Sequence, residues 1–173
     1  MAGEASVFQM SGGGYDYEHY VQSGFLLSMI LQGNIPVFPN GNIKELSFQC
    51  KRLGYETDDL FLKVKVGTNE HRIIAQIKYN ITISEKNVTF FDVISAFWKD
   101  FNNQKVFNKQ NDKLFLIKSS LTNEDKNQTL VLLNWASTHK DEKDFYSEVE
   151  RIKVKKEKLT VFSNLLKRAN NNV

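Results

Sequence analysis

Three polar side chains lie at corresponding ends of two neighbouring strand-like stretches. Asp59 stands directly before the alternating stretch 60–66, and Gln76 and Lys78 lie near the end of the stretch 72–79. Side chains two residues apart on a strand point to the same side, so Gln76 and Lys78 share a face. The same parity places Asp59 on the less apolar face of its own strand. If both strands turn their apolar faces to one core, the three side chains converge.

A carboxylate, an amide and an amine in this arrangement are suited to metal-dependent hydrolysis of a phosphodiester bond. A divalent cation polarises the scissile phosphate and lowers the pKa of an attacking water. Mg²⁺ prefers oxygen ligands and keeps several waters, so one or two carboxylates suffice. Asp59 and the side-chain carbonyl of Gln76 supply oxygens, Glu18 on an upstream helix supplies a second carboxylate, and Asp58 is a further candidate. Lys78 can orient the water or stabilise charge on the phosphate. The expected cofactor is Mg²⁺ or Mn²⁺.

Each of these residues also has an ordinary structural interpretation. Asp58 and Asp59 could cap a turn, Glu18 could be a surface acid of its helix, and Lys78 could be a strand-end lysine. Gln76 is harder to explain in this way, because it lies among apolar residues and a buried amide must find hydrogen-bond partners.

Hydrophobic periodicity places these residues on a mixed succession of elements. A three- to four-residue period indicates helices, and alternation indicates strands, the pair 60–66 and 72–79 forming an antiparallel hairpin with a loop of about four residues. This order predicts an α/β domain of three layers, with a small mixed sheet flanked by helices. The predicted helices cover 15–32, 89–101, 130–137 and 145–168, and the predicted strands 43–49, 60–66, 72–79 and 114–117.

Composition indicates one compact domain in a reducing compartment. The chain of 173 residues is 41% hydrophobic and has one cysteine, so an internal disulfide is excluded and a structural zinc site is not expected. Neither a signal peptide nor a transmembrane stretch is evident, which predicts a cytoplasmic protein without membrane contact. We expect a flexible lead-in over 1–14, a core over 15–140 and a basic C-terminal helix over 141–173.

Positive charge is concentrated near the end of the chain. Residues 151–168 carry seven basic side chains and one acidic side chain, although the net charge of the whole chain is only +3. Such a segment can follow a phosphate backbone, or it can simply be a solvated helix face. The candidates for contact with nucleic acid are Lys153, Lys155, Lys156 and Lys158.

The spacing of these motifs resembles a known group of nucleases. Asp, a hairpin and then Gln-x-Lys is similar to the variant PD-(D/E)xK signature of Mrr-like restriction endonucleases, in which Gln replaces an acid. The wider string resembles the N-terminal nuclease domains of antiviral STAND NTPases and of related anti-phage effectors. The matching segments, within residues 12–101, are GGGYDYE (12–18), FLL (25–27), GYETDDL (54–60), QIK (76–78) and AFWKDF (96–101).

This resemblance implies a fold, a site and an activity. The fold would be restriction-endonuclease-like, with a metal site of Glu18, Asp59, Gln76 and Lys78. The activity would be cleavage of double-stranded DNA by an effector domain that is activated by oligomerisation, as a dimer or tetramer. In a longer parent protein, NTPase and sensor domains would follow. Gln76 departs from the commoner acidic pattern, and a neutral ligand binds metal more weakly.

Two other functions remain open at this point. The same fold could bind nucleic acid without cleaving it, which the neutral Gln76 and the basic segment would suit. Alternatively, the aromatic segment 90–101 could be an interaction surface if part of it is exposed. Acyl transfer has no support, because no Ser/His/Asp or Cys/His arrangement is evident. The glycines at 12–14 lack the Gly-Lys-Ser/Thr of a phosphate loop.

Overall fold

The computed structural model describes residues 13–35 and 37–171. The chain divides into two compact units: unit 1 comprises Met1–Asn80 and Ala96–Ser119, and unit 2 comprises Ile81–Ser95 and Ser120–Val173. Of the predicted lead-in over 1–14, residues 1–12 lie outside the described part, whereas residues 13 and 14 are helical. The candidate catalytic residues all belong to unit 1.

Unit 1 is built on a four-stranded mixed sheet with the order β1-β2-β3-β4. The first three strands are antiparallel, and β3 pairs with β4 in parallel. This confirms the predicted mixed α/β class with a small mixed sheet and flanking helices. In chain order the elements are α1 (Gly13–Ile30), β1 (Asn42–Ser47), a 3₁₀ turn (Cys50–Leu53), β2 (Leu60–Val66), β3 (Asn69–Lys78), the second half of α2 (Val88–Asn102) and β4 (Asp112–Lys118).

The β2–β3 hairpin has a shorter loop than the sequence suggested. Val66 pairs with Asn69, so only Gly67 and Thr68 lie between the strands, and the expected loop of about four residues is wrong. Asn69 is polar, which suggested a turn, but it pairs with Val66 as the outermost residue of the β2–β3 ladder. Gly67 has a φ of +60°, which glycine adopts without steric cost at the first position of a tight hairpin.

One face of the sheet packs against helix α1. The alternation in β2 and β3 follows from strand geometry, since every second side chain points to the same side. Helix α1 meets this face with side chains at four-residue steps, as an amphipathic contact requires. The buried sheet residues are Ile43, Leu60, Leu62, Val64, Ile73, Ala75 and Ile77, and the helix contributes Tyr17, Val21, Phe25 and Met29.

The opposite face carries a second, smaller core. Phe61 and Ile74 pack there with Cys50 of the 3₁₀ turn and with Tyr55 and Phe107 from loops. The sheet of unit 1 therefore lies between two apolar layers, as the three-layer prediction requires.

Unit 2 is helical, and one of its predicted helices is divided. The expected helix over 145–168 is wrong, because α4 ends at Glu150 and α5 begins at Lys153. Ile152 between them is extended (φ −124°, ψ 104°), and its carbonyl accepts the first hydrogen bonds of α5. Residues 142–170 contain neither proline nor glycine, so nothing local marked the break. The remaining elements are the first half of α2, a π turn (Asp125–Thr129), α3 (Leu130–Thr138), α4 (Glu142–Glu150) and α5 (Lys153–Asn170).

Within the described ranges 13–35 and 37–171, no helix combines the length and the apolar character that crossing a membrane demands.

Candidate active site

Asp59 and Lys78 are in direct contact at the ends of β2 and β3. Asp59 immediately precedes Leu60, which pairs with Ala75, so Asp59 lies beside the last residues of β3. Its Oδ2 accepts a hydrogen bond from the backbone N–H of Ile77 at 2.6 Å and one from Lys78 Nζ at 3.0 Å. The Asp59 side chain is 13% exposed and that of Lys78 is 30% exposed. The carboxylate is therefore fixed in orientation, while the ammonium group still reaches solvent.

Gln76 lies on β3 between two core residues and is almost enclosed, with 7% of its surface exposed. Strand parity gives it the same face as Lys78. In the described part of the chain, its side-chain amide forms no hydrogen bond with another protein group. Neither polar atom of this amide is both fully enclosed and without a partner, so the amide reaches solvent and can meet a ligand.

Glu18 on α1 is electrostatically linked to the strand residues. Burial raises the pKa of its carboxyl group above the ordinary value, and the negative charge of Asp59 raises it further. The positive charge of Lys78 and a hydrogen bond from Gln22 oppose these effects. The Gln22 side chain bonds both Glu18 Oε1 and the Asp59 carbonyl oxygen, which places Glu18 beside the start of β2.

Asp58 has a different role from its neighbour. Its Oδ1 accepts the backbone N–H of Lys51 at 2.9 Å, and its carbonyl oxygen accepts that of Cys50 at 2.7 Å. These bonds anchor the 3₁₀ turn, which is the structural interpretation raised for this aspartate. Of the two neighbouring carboxylates, Asp59 is the one that contacts Lys78.

Two residues that the sequence reasoning missed hold this region together. Gln22 is 7% exposed, and its side chain lies between Glu18 and the backbone of Asp59. Asp100, near the end of α2, is 1% exposed and accepts the backbone N–H groups of Glu56 at 2.7 Å and Thr57 at 2.8 Å. A charged residue within an aromatic helix is a sequence signal that could have identified Asp100.

Two of the four candidate lysines of the basic segment are buried in unit 2. Lys155 Nζ donates to the carbonyl oxygen of Asn127 and lies 5.7 Å from the centre of the Trp135 ring. Lys158 Nζ donates to Glu124 Oε1 at 2.6 Å. These ammonium groups are occupied inside the unit, because a buried charge needs a partner.

The other two lysines are exposed and form ion pairs on the surface. Lys156 Nζ lies 2.6 Å from Glu150 Oε2, and Lys153 Nζ lies 3.9 Å from Glu157 Oε1. Exposed pairs of this kind are weak and leave the charge available. Within the predicted set, Lys153 and Lys156 are therefore the two lysines whose charge remains at the surface.

Across the described residues, no group of three or more His, Cys, Asp or Glu side chains is arranged to hold a metal ion. The candidate set contains two carboxylates, Glu18 and Asp59, and the third oxygen donor is the amide of Gln76. Comparison of the chain with models of known protein families, with curated proteins and with solved structures found no match.

Proposed function

We propose that this chain carries a metal-dependent endonuclease domain that hydrolyses phosphodiester bonds of double-stranded DNA. The observation that supports it most is the contact of Asp59 Oδ2 with Lys78 Nζ at 3.0 Å, with Glu18 joined to the Asp59 backbone through Gln22. A carboxylate pair beside a solvent-accessible ammonium group is the arrangement that cleavage of a phosphate ester needs.

The donor set suits Mg²⁺ or Mn²⁺. Glu18 and Asp59 offer carboxylate oxygens, and Gln76 offers a nearly enclosed amide oxygen that no protein donor occupies in the described part of the chain. All three are hard oxygen ligands, which these cations prefer. Two carboxylates and one neutral ligand would bind metal more weakly than three carboxylates.

In this proposal, Asp59 and Lys78 have different roles in cleavage. A bound cation supplies polarisation of the phosphate and a water of lowered pKa. Asp59 is held by the N–H of Ile77, so its carboxylate needs little reorganisation when a cation binds. Lys78 is 30% exposed and can move its ammonium group from Asp59 to a phosphate oxygen, where it stabilises the developing charge.

We also propose how the chain assembles with further copies and domains. We include activation by formation of a homodimer or homotetramer and attachment to NTPase and sensor domains, on the strength of the motif resemblance. One surface of unit 1 suits contact with a second copy. Helix α1 exposes Tyr20, Leu27 and Ile30, and residues 20–35 contain no charged side chain, so two copies would meet there without like-charge repulsion.

The test is cleavage of plasmid DNA by the assembled protein with Mg²⁺ or Mn²⁺, with the oligomeric state measured by light scattering. Lys78→Ala and Asp59→Ala should each lower the rate by about 10²-fold or more, because each removes charge from the reacting centre. Lys63→Ala is the matched control. Lys63 also points to this side of β2 but pairs with Glu45 at 2.7 Å, so its loss should leave the rate unchanged.

Equal cleavage by wild type and by folded Lys78→Ala would remove the proposal. Binding of DNA without cleavage in any oligomeric state would favour the second candidate, a non-cleaving nucleic-acid-binding module. The neutral Gln76 ligand is the observation behind that candidate. Gln76→Glu separates the two, because a third carboxylate should tighten Mn²⁺ binding and raise the rate of a true nuclease but leave a binding module inactive.

The interaction-domain alternative receives less support. Phe90 of the aromatic segment is buried and packs edge-to-face on Phe162 at 6.0 Å, while Phe97 and Trp98 are half-buried. Most of the aromatic surface that motivated this alternative is therefore used for packing.

A further inference from the structure

The side chain of Gln22 bridges two parts of the candidate metal site. Its Nε2 donates to Glu18 Oε1 at 3.0 Å and to the carbonyl oxygen of Asp59 at 2.9 Å. A primary amide carries two N–H groups, so both bonds can form at once. Glu18 lies one helical turn before Gln22, whereas Asp59 lies 37 residues after it. One buried amide thus connects helix α1 with the start of strand β2.

These bonds restrict groups that would otherwise be free to move. A glutamate side chain loses considerable rotamer entropy when it is ordered, and a site that orders it in advance binds its ligand more tightly. The bond to Gln22 holds Glu18 in place, and the bond to the Asp59 carbonyl holds α1 against the chain that presents the second carboxylate.

We propose that Gln22 is a positioning residue of the candidate site, which orders the Glu18 carboxylate and ties it to the backbone of Asp59 so that both residues can serve one divalent cation. This inference rests on the proposed function, because that function supplies the cation. Groups that orient metal ligands in this way typically contribute 10- to 100-fold to metal affinity.

Filling of space alone does not explain the presence of an amide at position 22. Gln22 is 7% exposed on the side of α1 that packs against the sheet, next to the apolar residue Val21. An apolar side chain of the same size would fill the space but would leave Glu18 Oε1 and the Asp59 carbonyl oxygen without this donor. The amide is useful there because its two acceptors belong to the two carboxylate-bearing residues.

The test measures Mn²⁺ affinity of the whole chain by isothermal titration, without DNA. Gln22→Met keeps the volume of the side chain and removes both hydrogen bonds. It should weaken Mn²⁺ binding by the folded protein about 10- to 100-fold, and it should also lower the melting temperature without metal, because two acceptors lose their donor. Ser28→Ala is the control, since it removes a side-chain bond to the Gly24 carbonyl on the same helix, away from the site, and should leave Mn²⁺ affinity unchanged.

A second comparison separates positioning from general stability. In a Glu18→Gln background, Gln22→Met should weaken Mn²⁺ affinity less than it does in the wild type, because one of the two residues that it positions no longer carries a carboxylate. In cleavage assays, Gln22→Met should raise the Mn²⁺ concentration for half-maximal rate more than it lowers kcat. A merely structural residue would reduce the folded fraction without moving that concentration.

The outcomes distinguish this inference from the proposed function. Wild-type Mn²⁺ affinity in folded Gln22→Met overturns the positioning role and leaves the nuclease proposal intact. Absence of Mn²⁺ binding by the wild type overturns both. If Gln22→Met does not fold, Gln22→Asn keeps an amide that is one methylene too short to reach both acceptors, and the same affinity comparison decides the question.

Discussion

At the scale of single residues, the candidate site concentrates negative charge where a compact core would avoid it. Burial and then the charge of Asp59 raise the pKa of Glu18 above its ordinary value of 4.5, and the opposing effects of Lys78 and Gln22 are smaller. A half-buried acid next to another acid costs stability whenever both are ionised. Such a cost is typical of functional sites, where a bound cation or substrate supplies the missing positive charge.

This arrangement predicts a specific pH dependence for Glu18→Gln. Well below pH 4.5, Glu18 is protonated in both the folded and the unfolded chain, so the substitution should change stability little. As the pH rises, the unfolded chain loses the proton first, and the free energy of unfolding of the wild type falls until the pH passes the raised pKa. Glu18→Gln should therefore be the more stable protein at neutral pH, as measured by urea unfolding across pH 4–8.

In the presence of Mn²⁺, the same unfolding measurement should favour the wild type over Glu18→Gln. If Glu18 is a metal ligand, saturating Mn²⁺ should stabilise the wild type and have a smaller effect on Glu18→Gln. Equal stability of the two proteins at every pH without metal would contradict the electrostatic argument.

At the scale of elements, the segment that leads into strand β2 is held in place by hydrogen bonds to helix α2. The carboxylate of Asp100 on α2 accepts the N–H groups of Glu56 and Thr57, directly before the two aspartates. Asp58 ties the same segment to the 3₁₀ turn through Lys51. The position of Asp59 thus depends on bonds to both neighbouring elements as well as on the sheet.

We expect Asp100→Asn to destabilise the chain by about 2 kcal/mol or more, because hydrogen bonds to a charged acceptor each contribute about 1.5–3 kcal/mol. An asparagine presents an N–H group to one of the two backbone donors, which leaves that donor buried without a partner. Asp92→Asn on the exposed side of the same helix is the matched control and should change stability by less than about 0.5 kcal/mol. Unfolding in urea measures both, and equal midpoints would contradict the assigned role of Asp100.

At the scale of the whole molecule, the distribution of charge bears on contact with DNA. The net charge is +3, with seven basic side chains within residues 151–168. Helix α5 uses part of that charge for its own packing, since Lys155 and Lys158 are bonded inside unit 2. The electrostatic contribution to DNA binding should therefore be smaller than the sequence alone suggests.

The lysines of α5 should separate into two classes on substitution. Lys153→Ala combined with Lys156→Ala should weaken DNA binding and reduce its dependence on salt concentration, with little effect on the melting temperature. Lys158→Ala should instead lower the free energy of unfolding by about 1–3 kcal/mol, because it removes a buried donor from Glu124 and from the carbonyl of Ile83. Fluorescence anisotropy at several salt concentrations and thermal melting measure the two effects, and loss of binding alone in Lys158→Ala would contradict this division.

The sequence by itself determined the features that depend on neighbouring residues along the chain: the positions of helices and strands and the faces of their side chains. The alternation over 60–66 located β2 with both ends correct, and helical periodicity located α1 and α2 to within two residues at each end. Parity along the strands placed Asp59 and Lys78 on one side, and the structure brings them into contact. These features are local because side-chain direction repeats every second residue in a strand and every three to four in a helix.

Only the tertiary structure decided which distant groups meet. Gln22 bonds Asp59, 37 residues away, and Asp100 bonds groups 43 and 44 residues away, and no periodic pattern carries that information. The break at Ile152 and the burial of Lys155 and Lys158 likewise arise from packing between helices of unit 2, since nothing local ends the helix there and lysine is ordinarily a surface residue. Hydrogen bonds and buried charges are paired across the fold, so their pairing is determined only once the elements have packed.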